Sequence, residues 1–393
     1  MLARSSCVSA FAGRSIVPSP GCSQEPGKTL GQYPRRRPGN HEAHNGGLPF
    51  WRLWAHSPSH STCSPSLNYT GVNSSLGVSL HPSRRGAIYL EESTLDMGGC
   101  KFSDNRADIH GGAIFVGKGS SMSCTTGLRT EIRHNRAKFG GGVYADGNSS
   151  VEISGETLFS RNVAEASGGA ICVSNMSKVI LEDRSFFEDN VARMYYGGAI
   201  MVTTEGEVYV RGSAKFTNNS CGAEGGAIQA KFDSKIELAG CAKFEANQAV
   251  YSGGAINLYE GSNITNMGQA SFVNNSAETG GAVYMSARCE ASLVNRTVFV
   301  NNSASIDGGA LYAYRSSVLL AGRPVFHGNT ALTGSGGAMY CVNAGHLRLE
   351  NVQFIDNLAV WGGAVATFSS GASSSLSSER HVLPMSGGEL DGV

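Results

Sequence analysis

The sequence lacks the features that mark several large protein classes. Lys and Arg together number 31 and Asp and Glu also number 31, so the charge excess of a nucleic-acid-binding protein or an acidic tail is missing. No run approaches the roughly 20 consecutive apolar residues of a membrane-spanning helix. The ten cysteines are scattered without a Cys-x-x-Cys pair, which disfavours a disulfide-dense scaffold or a zinc site. We therefore expect no nucleic-acid partner, no transmembrane helix, no metal and no cofactor.

Proline is scarce as well, with 11 residues, whereas glycine reaches 52, about 13% of the chain. Soluble proteins usually contain about 7% glycine. Because collagen needs abundant proline, this combination points away from collagen and towards many regular tight turns. Hydrophobic residues make up 41% of the chain, which is enough for a sizeable core.

The first part of the chain has no periodic pattern. Residues 1–67 contain the basic run Arg35-Arg36-Arg37 and many Ser, Pro and His residues. We predict a disordered N-terminal segment. Met1 to Ala12 matches a secretory signal peptide poorly, since its weak apolar run is followed at once by Arg14.

From about residue 84 a Gly-Gly-Ala motif, usually followed by Ile, Val, Leu or Met, returns at nearly constant distance. Gly111 and Gly362 are 251 residues apart, which makes nine intervals of about 28 residues. A fixed period of this length indicates a repeat architecture. The first glycines of the ten motifs are Gly111, Gly140, Gly168, Gly197, Gly225, Gly253, Gly280, Gly308, Gly336 and Gly362.

A second motif, Phe-x-x-Asn-x-Ala, ends a few residues before each glycine pair. Nine of its ten copies carry Phe, and Ile132 replaces Phe in the copy that ends at Asn135. The other nine pairs are Phe102/Asn105, Phe159/Asn162, Phe187/Asn190, Phe216/Asn219, Phe244/Asn247, Phe272/Asn275, Phe299/Asn302, Phe326/Asn329 and Phe354/Asn357.

Each unit contains three short strand candidates: one after the glycine pair, one in an alternating apolar stretch such as Val208 to Val210, and one around the Phe. Three strands in about 28 residues cannot bury their apolar faces alone and must stack on copies of themselves. The sequence therefore predicts an all-β parallel solenoid of about ten coils over residues 68–368. A Ser-rich disordered tail is predicted over residues 369–393.

In such a solenoid the motif residues acquire structural roles. The Phe side chains point inward and stack from coil to coil, and the Asn side chains form a hydrogen-bonded ladder at a bend. The glycine pair allows a turn with positive φ and close backbone packing. Propellers and antiparallel sandwiches fit less well, because neither is typically built from sequence motifs that recur every 28 residues.

These paired motifs resemble the chlamydial polymorphic membrane protein repeat, which is defined by GGA[ILV] and FxxN. The resemblance covers about residues 84–368. It implies a right-handed β-helix of the pectin-lyase-like type. In that family the repeats form secreted passenger domains that act as surface adhesins and antigens, and similar repeats occur in uncharacterised β-helix proteins of other organisms.

The pectin-lyase-like fold also hosts polysaccharide lyases and hydrolases, so catalysis is an alternative. Such sites need carboxylates from adjacent coils around one groove. Asp104, Asp189 and Asp356 precede ladder asparagines on coils that are not adjacent. We expect that the chain is not an enzyme, and that carboxylates and arginines aligned on neighbouring coils would favour a carbohydrate-binding or polysaccharide-degrading protein instead.

Several Asn-x-Ser/Thr sequons fall between the motifs. Asn148, Asn175, Asn263 and Asn295 are expected in inter-strand loops that a glycan could reach if the protein is secreted by a eukaryote. Among the cysteines, Cys172, Cys221 and Cys341 occupy positions where a small buried hydrophobe is expected. Disulfides between neighbouring coils remain an alternative, because sequence alone does not give the pairing.

The sequence thus predicts a secreted or cell-surface repeat protein, located at the outer membrane if it is bacterial. The predicted partner is a protein or glycan of a cell surface or of the extracellular space, bound in an adhesin-like manner. This function follows from the resemblance, since the periodicity alone predicts only the scaffold. A structural spacer without a specific ligand is a third alternative.

Overall fold

Each repeat forms one coil in a stack of parallel strands. The computed structural model describes residues 61–62, 86–97, 99, 101–124, 129–343, 346–369 and 376–379. A compact unit spans Ala55–Val393, and the segment Met1–Trp54 lies outside the described residues. The all-β parallel solenoid of about ten coils is confirmed. The described residues contain no helix, and so none that could cross a membrane.

Sheet 1 is formed by the strands that follow the glycine pairs. Its strands begin with inward-facing Ile, Val, Leu or Met, because the alternation of a strand places every second residue in the core. Its 11 strands are Ile88–Glu91, Ile114–Gly117, Val143–Ala145, Ile171–Val173, Ile200–Thr203, Ile228–Lys231, Ile256–Tyr259, Val283–Ser286, Leu311–Tyr314, Met339–Val342 and Val365–Phe368.

Sheet 2 is formed by the alternating apolar stretches. In Glu207–Val210, for example, Val208 and Val210 are buried whereas Glu207 and Tyr209 face outward. Its 11 strands are Thr94–Met97, Ser121–Cys124, Ser150–Ile153, Lys178–Leu181, Glu207–Val210, Lys235–Leu238, Asn263–Asn266, Glu290–Leu293, Ser317–Leu320, Leu347–Glu350 and Leu376–Glu379.

Sheet 3 is formed by the strands that carry the motif Phe. One short strand, Ser61–Thr62, pairs antiparallel with Lys101–Ser103, and the other pairings are parallel. The ten parallel strands are Lys101–Ser103, Thr130–Arg133, Glu156–Ser160, Arg184–Glu188, Ser213–Thr217, Cys241–Glu245, Gln269–Val273, Thr297–Val300, Val325–His327 and Gln353–Ile355.

Sheet 4 is an addition to the three predicted strands of each coil. Its strands directly follow the ladder Asn and are mostly two residues long, which is too short for an alternating pattern to reveal them. The eight strands are Arg136–Phe139, Val163–Ser167, Val191–Ala192, Ser220–Cys221, Gln248–Ala249, Ser276–Ala277, Ser303–Ala304 and Thr330–Ala331.

The domain boundaries at residues 67 and 369 stay predictions. Leu376–Glu379, within the predicted Ser-rich tail, pairs in parallel with Leu347–Glu350. Ser61–Thr62, within the predicted N-terminal segment, pairs with sheet 3. Residues 1–60, 63–85, 370–375 and 380–393 lie outside the described residues.

The core fills the space inside the four sheets. Side chains that point inward from sheets 1, 2 and 3 form one continuous hydrophobic cluster along the stack. Burial of this apolar surface is the main stabilising contribution, about 25 cal/mol for each Å² removed from water. The regular register of the stack places equivalent residues of successive coils side by side, both inside and outside.

Candidate functional site

The ladder asparagines define ten coils and form one unbroken row of hydrogen bonds. In nine consecutive pairs the Nδ2 of one Asn donates to the Oδ1 of the next at 2.8–3.0 Å. We number coils 1 to 10 by these residues, in the order Asn105, Asn135, Asn162, Asn190, Asn219, Asn247, Asn275, Asn302, Asn329 and Asn357.

A ladder amide inside the stack uses its full hydrogen-bonding capacity, as Asn219 shows. Its Nδ2 donates to the carbonyl oxygen of Phe187 at 2.9 Å and to Asn247 Oδ1 at 3.0 Å. Its Oδ1 accepts bonds from the backbone N–H of Asn190 at 3.1 Å and from Asn190 Nδ2 at 3.0 Å. The bend therefore buries an amide without leaving a polar atom unpaired.

The residue before each ladder Asn adopts the left-handed conformation in all ten coils, with φ between 51° and 64°. Asp104, Asp189 and Asp356, which we considered as candidate carboxylates, all occupy this bend. Asn, Asp and Gly tolerate positive φ better than other residues, which explains why seven of the ten positions carry one of them. These aspartates therefore have a conformational reason to be there.

The motif Phe side chains lie inside the stack, directly above one another. From Phe159 to Phe354 successive ring centroids are 4.5–5.3 Å apart. Ile132 interrupts the row between Phe102 and Phe159, and all three side chains are buried. The rings line the core and are closed to solvent, so they serve packing rather than binding.

The glycine pair brings neighbouring coils into close contact. The first glycine has a positive φ in every coil. A Cβ on the second glycine would lie 2.0–2.3 Å from a backbone carbonyl oxygen of the next coil in coils 1 to 9. The backbones approach too closely there for any side chain, so both glycines are structural requirements.

The segments between each ladder Asn and the following glycine pair form the surface that we call the ridge. Among described residues, ten of the 15 large hydrophobic side chains that are exposed lie in the ridge. These ten are Ile109, Met194, Tyr195, Val250, Tyr251, Ile306, Leu332, Leu358, Val360 and Trp361. The segments are 106–110, 136–139, 163–167, 191–196, 220–224, 248–252, 276–279, 303–307, 330–335 and 358–361.

A cleft of about 410 Å³ opens in the ridge of coils 1 to 4. The ridge segment of coil 4 has six residues, one more than those of coils 3 and 5, and its Met194 and Tyr195 are 56% and 49% exposed. In repeat proteins such insertions usually map to a binding face. The cleft is lined by Asp108, Lys138, Phe139, Glu165, Ala166, Met194 and Tyr195.

Charged side chains of adjacent coils meet at this cleft. Glu165 Oε1 accepts a hydrogen bond from Arg136 Nε at 2.6 Å and lies 3.5 Å from Arg193 Nη1. Arg136 also contacts Glu165 through Nη2. One carboxylate, Glu165 of coil 3, thus lies between the arginines of coils 2 and 4.

The outer face of sheet 1 borders the ridge and supports it. Lys231 Nζ lies 3.3 Å from the ring centre of Tyr196, and the rings of Tyr195 and Tyr196 are 5.7 Å apart. A cation over an aromatic face is attractive, so Lys231 fixes the end of the coil 4 segment. Tyr195 is exposed, and the adjacent Tyr196 is fixed by its contact with Lys231.

The predicted glycosylation sites differ in their surroundings. Asn148 and Asn175 are exposed residues of turns between sheets 1 and 2, and Asn295 is exposed in a turn before sheet 3. The expected loop position is wrong for Asn263, which is half-buried and begins the strand Asn263–Asn266. Its sequence looked like a loop because polar residues surround Ile264. Glycosylation of the other three stays a prediction.

Cys172, Cys221 and Cys341 are buried as free thiols, as the small-hydrophobe interpretation predicted. Burial raises the pKa of each thiol to about 12. They are therefore neutral at physiological pH and unsuited to nucleophilic chemistry. In the described part of the chain, no three His, Cys, Asp or Glu side chains are grouped to hold a metal ion.

The cleft was not predicted from the sequence. Its residues come from four ridge segments that differ in length and composition, whereas the repeat analysis detects only what recurs. The one available signal was the extra residue between Asn190 and Gly197, in the sequence Val191-Ala-Arg-Met-Tyr-Tyr196.

Comparison with known families matches four segments to the Chlamydia polymorphic membrane protein (Chlamydia_PMP) repeat: residues 99–117, 156–174, 213–231 and 296–314. Each segment covers a sheet 3 strand, a ladder Asn, a ridge segment, a glycine pair and a sheet 1 strand. No curated protein and no solved structure matches the chain significantly. The resemblance to the Chlamydia polymorphic membrane protein repeat is thus confirmed in coils 1, 3, 5 and 8.

Proposed function

We propose that the protein is a secreted or cell-surface solenoid that binds cells or extracellular surfaces through its ridge, in the manner of an adhesin. The family of its repeats supports an extracellular role. The observation that carries the proposal is the concentration of exposed apolar side chains in the ridge. Exposed apolar patches on soluble proteins usually mark interaction sites.

The scaffold suits this function because its main stabilising contacts do not involve the exposed side chains of the ridge. The ladder, the stacked rings and the glycine pairs all lie inside the stack or at its bends. The exposed ridge side chains can therefore vary from coil to coil while the fold stays the same. A rigid stack also presents its ligand-binding side chains without a large ordering cost on binding.

Cell binding by the full-length protein tests the proposal. The ridge variant Met194→Ser/Tyr251→Ser/Leu332→Ser removes three exposed apolar side chains from coils 4, 6 and 9. The control variant Phe232→Ser/Met267→Ser/Val294→Ser removes three others, also exposed, that lie outside the ridge. Labelled protein is added to cultured cells, and bound protein is quantified by flow cytometry.

We expect saturable binding of the wild type and of the control variant, and binding at least about tenfold weaker for the ridge variant, since hot-spot residues dominate interface energies. Equal binding of the two variants, or a wild type that shows no saturable binding, would overturn the proposal. Circular dichroism of all three proteins establishes that each one is folded.

A further inference from the structure

We propose that the outer face of sheet 2 is the interface of a dimer, in which two copies of this chain pack face to face in antiparallel orientation. The term sheet 2 face denotes the segments between each strand of sheet 1 and the following strand of sheet 3. Each segment contains one strand of sheet 2 and the turns on either side of it. The inference is drawn from the charged and apolar side chains of this face, and it does not rest on the proposed binding function.

Charges of opposite sign are separated along the sheet 2 face. Eight consecutive segments form an acidic part, with nine carboxylates and three basic side chains, and a basic part, with five arginines and two carboxylates. Because the strands of sheet 2 stack in sequence order, the two parts lie one after the other along the stack. The acidic part consists of residues 146–155, 174–183, 204–212, 232–240 and 260–268, and the basic part consists of residues 287–296, 315–324 and 343–352.

Most of these charged groups are not neutralised by a partner in their own chain. In the part of the chain that the structure describes, four of the five arginines of the basic part form no ion pair, and all four are exposed. Of the nine carboxylates, only Glu182 and Glu237 form described ion pairs, with Arg211 at 2.9 Å and with Lys235 at 3.1 Å. The groups left for a partner are Arg288, Arg296, Arg315 and Arg323 of the basic part and Asp146, Glu152, Asp183, Glu205, Glu207, Asp233 and Glu260 of the acidic part.

A second copy supplies the complementary charges in antiparallel orientation. We place a two-fold axis along the strand direction, between the two segments nearest the basic part. The basic part of each copy then lies opposite the first three acidic segments of the other copy. Arg288 comes opposite Glu205 at one edge of the face, and Arg323 comes opposite Asp183 at the other edge. In parallel orientation every coil would face its own copy, so that like charges would meet and repel.

Exposed apolar side chains lie on the same face. Of the five large hydrophobic side chains that are exposed outside the ridge, four belong to the turns that flank sheet 2: Met176, Phe232, Met267 and Val294. Phe232 and Met267 lie in the two segments next to the proposed two-fold axis, where the interface would enclose them on all sides. Their exposure in the single chain thus has the same explanation as the unpaired charges.

The face is also large enough for a specific dimer. Eight strands at the usual spacing extend about 38 Å along the stack, and a four-residue strand with its two turns is about 20 Å wide. Two copies in contact would therefore bury about 1,500 Å² in total, which lies within the usual range of specific interfaces. Because a two-fold interface uses the same face of both copies, association stops at the dimer.

A uniformly charged partner, such as an anionic membrane surface, suits the face less well. The basic part would attract such a surface, but the nine carboxylates of the acidic part would repel it. A partner with the same two parts in reversed order satisfies both, and a second copy of the chain is such a partner.

The test is sedimentation equilibrium of the full-length protein at low and at high salt. The basic-part variant is Arg288→Glu/Arg323→Glu, and the acidic-part variant is Asp183→Arg/Glu205→Arg. The control is Arg106→Glu/Lys138→Glu, which reverses two exposed charges of the ridge that form no ion pair among the described residues. Each variant is measured alone, and the two sheet 2 face variants are also measured as an equimolar mixture.

We expect the wild type and the control to dimerise at low salt with a dissociation constant of about 10 µM, since interfaces of this size range from micromolar to picomolar affinity. High salt should weaken dimerisation at least about tenfold through screening. Each sheet 2 face variant alone should dimerise at least about tenfold more weakly, because like charges then meet. Their mixture should dimerise about as well as the wild type, because each reversed charge then faces a reversed partner.

A wild type that stays monomeric at about 100 µM, ten times the expected dissociation constant, would overturn the inference. So would assemblies larger than a dimer, an equal loss in the control, or a mixture that associates no better than its components. Circular dichroism establishes that every variant is folded. Cell-binding experiments well below the dissociation constant measure the monomer, so the outcome of either test leaves the other proposal unaffected.

Discussion

A Cβ on Gly142 would lie 3.0 Å from Cγ2 of Ile132 and 2.9 Å from the carbonyl oxygen of Ala170. Gly142 stands where the other nine Gly-Gly motifs carry Ala, and Ile132 stands where the other nine coils carry Phe. Both departures thus occur in the same coil and in contact. The branched side chain of Ile132 occupies space that the Ala methyl group uses elsewhere.

This contact predicts coupling between the two positions. Gly142→Ala alone should destabilise the protein by about 1–3 kcal/mol through overpacking. The double variant Ile132→Phe/Gly142→Ala restores the common pair. Its free energy of unfolding should exceed the value expected from adding the two single effects by about 0.5–3 kcal/mol. Chemical denaturation of the four proteins measures the coupling, and strictly additive effects would contradict it.

The asparagine ladder predicts that substitutions at two adjacent residues, Asn219 and Asn218, change the free energy of unfolding by very different amounts. Asn219→Leu removes the side-chain hydrogen bonds that Asn219 makes to the Phe187 carbonyl oxygen, to Asn247 Oδ1, and to the backbone N–H and Nδ2 of Asn190. Because each unpaired buried polar group costs about 1–3 kcal/mol, we expect a loss of about 3 kcal/mol or more in the free energy of unfolding.

The control for this prediction is Asn218→Gly, one residue earlier. Asn218 is exposed with a φ of 53°, a conformation that Gly adopts easily. We expect a change below about 1 kcal/mol. If denaturant unfolding shows similar losses for the two variants, the ladder does not stabilise the fold as described.

The second glycine of the pair should tolerate alanine only at the end of the stack. A Cβ on Gly226 would lie 2.1 Å from the Gly254 carbonyl oxygen, whereas a Cβ on Gly363 would meet its nearest atom, the Asn357 carbonyl oxygen, at 3.1 Å. Gly226→Ala should therefore cost about 3 kcal/mol or more, and Gly363→Ala less than about 1 kcal/mol. Thermal unfolding of both variants tests this, and equal melting temperatures would contradict it.

The buried thiols predict a loss of stability at alkaline pH. Burial raises the pKa of Cys172, Cys221 and Cys341 from 9.0 to about 12. In the unfolded chain these thiols ionise above about pH 9, while in the folded protein they stay neutral. Their contribution is therefore complete below about pH 9 and is lost as the pH rises towards about 12.

Denaturation midpoints measured between about pH 8 and pH 11 check this prediction. The variant Cys172→Ala/Cys221→Ala/Cys341→Ala should lose less stability over that range than the wild type. Its lower stability at pH 8 does not matter, because the slope with pH is compared. Parallel slopes would show that these thiols do not cause the alkaline loss.

The solenoid was predictable from the sequence because its main determinants recur. The glycine pair, the Phe and the ladder Asn each return every 28 residues or so, since each must meet its own copy in the next coil. Sheet 4 was missed because pairs such as Val191–Ala192 are too short to show a period. The left-handed bend had a visible signal in the sequence, because an Asn, Asp or Gly precedes most ladder asparagines. We had considered the aspartates at these positions only as candidate carboxylates.

The ridge and its cleft were beyond sequence analysis for a physical reason. The exposed side chains of the ridge meet solvent and not the core, so packing places few limits on their type. Arg136 and Arg193 lie 29 and 28 residues from Glu165 in the chain, and they meet it only because the coils stack in register. Charge pairs between variable segments become visible only when the register is known.

Radical footprinting of the full-length protein bound to cells tests the central claim, binding through the ridge, most directly. Met194 and Met267 are matched probes, 56% and 50% exposed, one inside the ridge and one outside it. Hydroxyl radicals oxidise exposed methionines, and mass spectrometry compares bound with free protein at each site. We predict that binding protects Met194, with Tyr195 and Tyr251, while Met267 stays as reactive as in the free protein. Protection of Met267 with an unchanged Met194 would contradict the account.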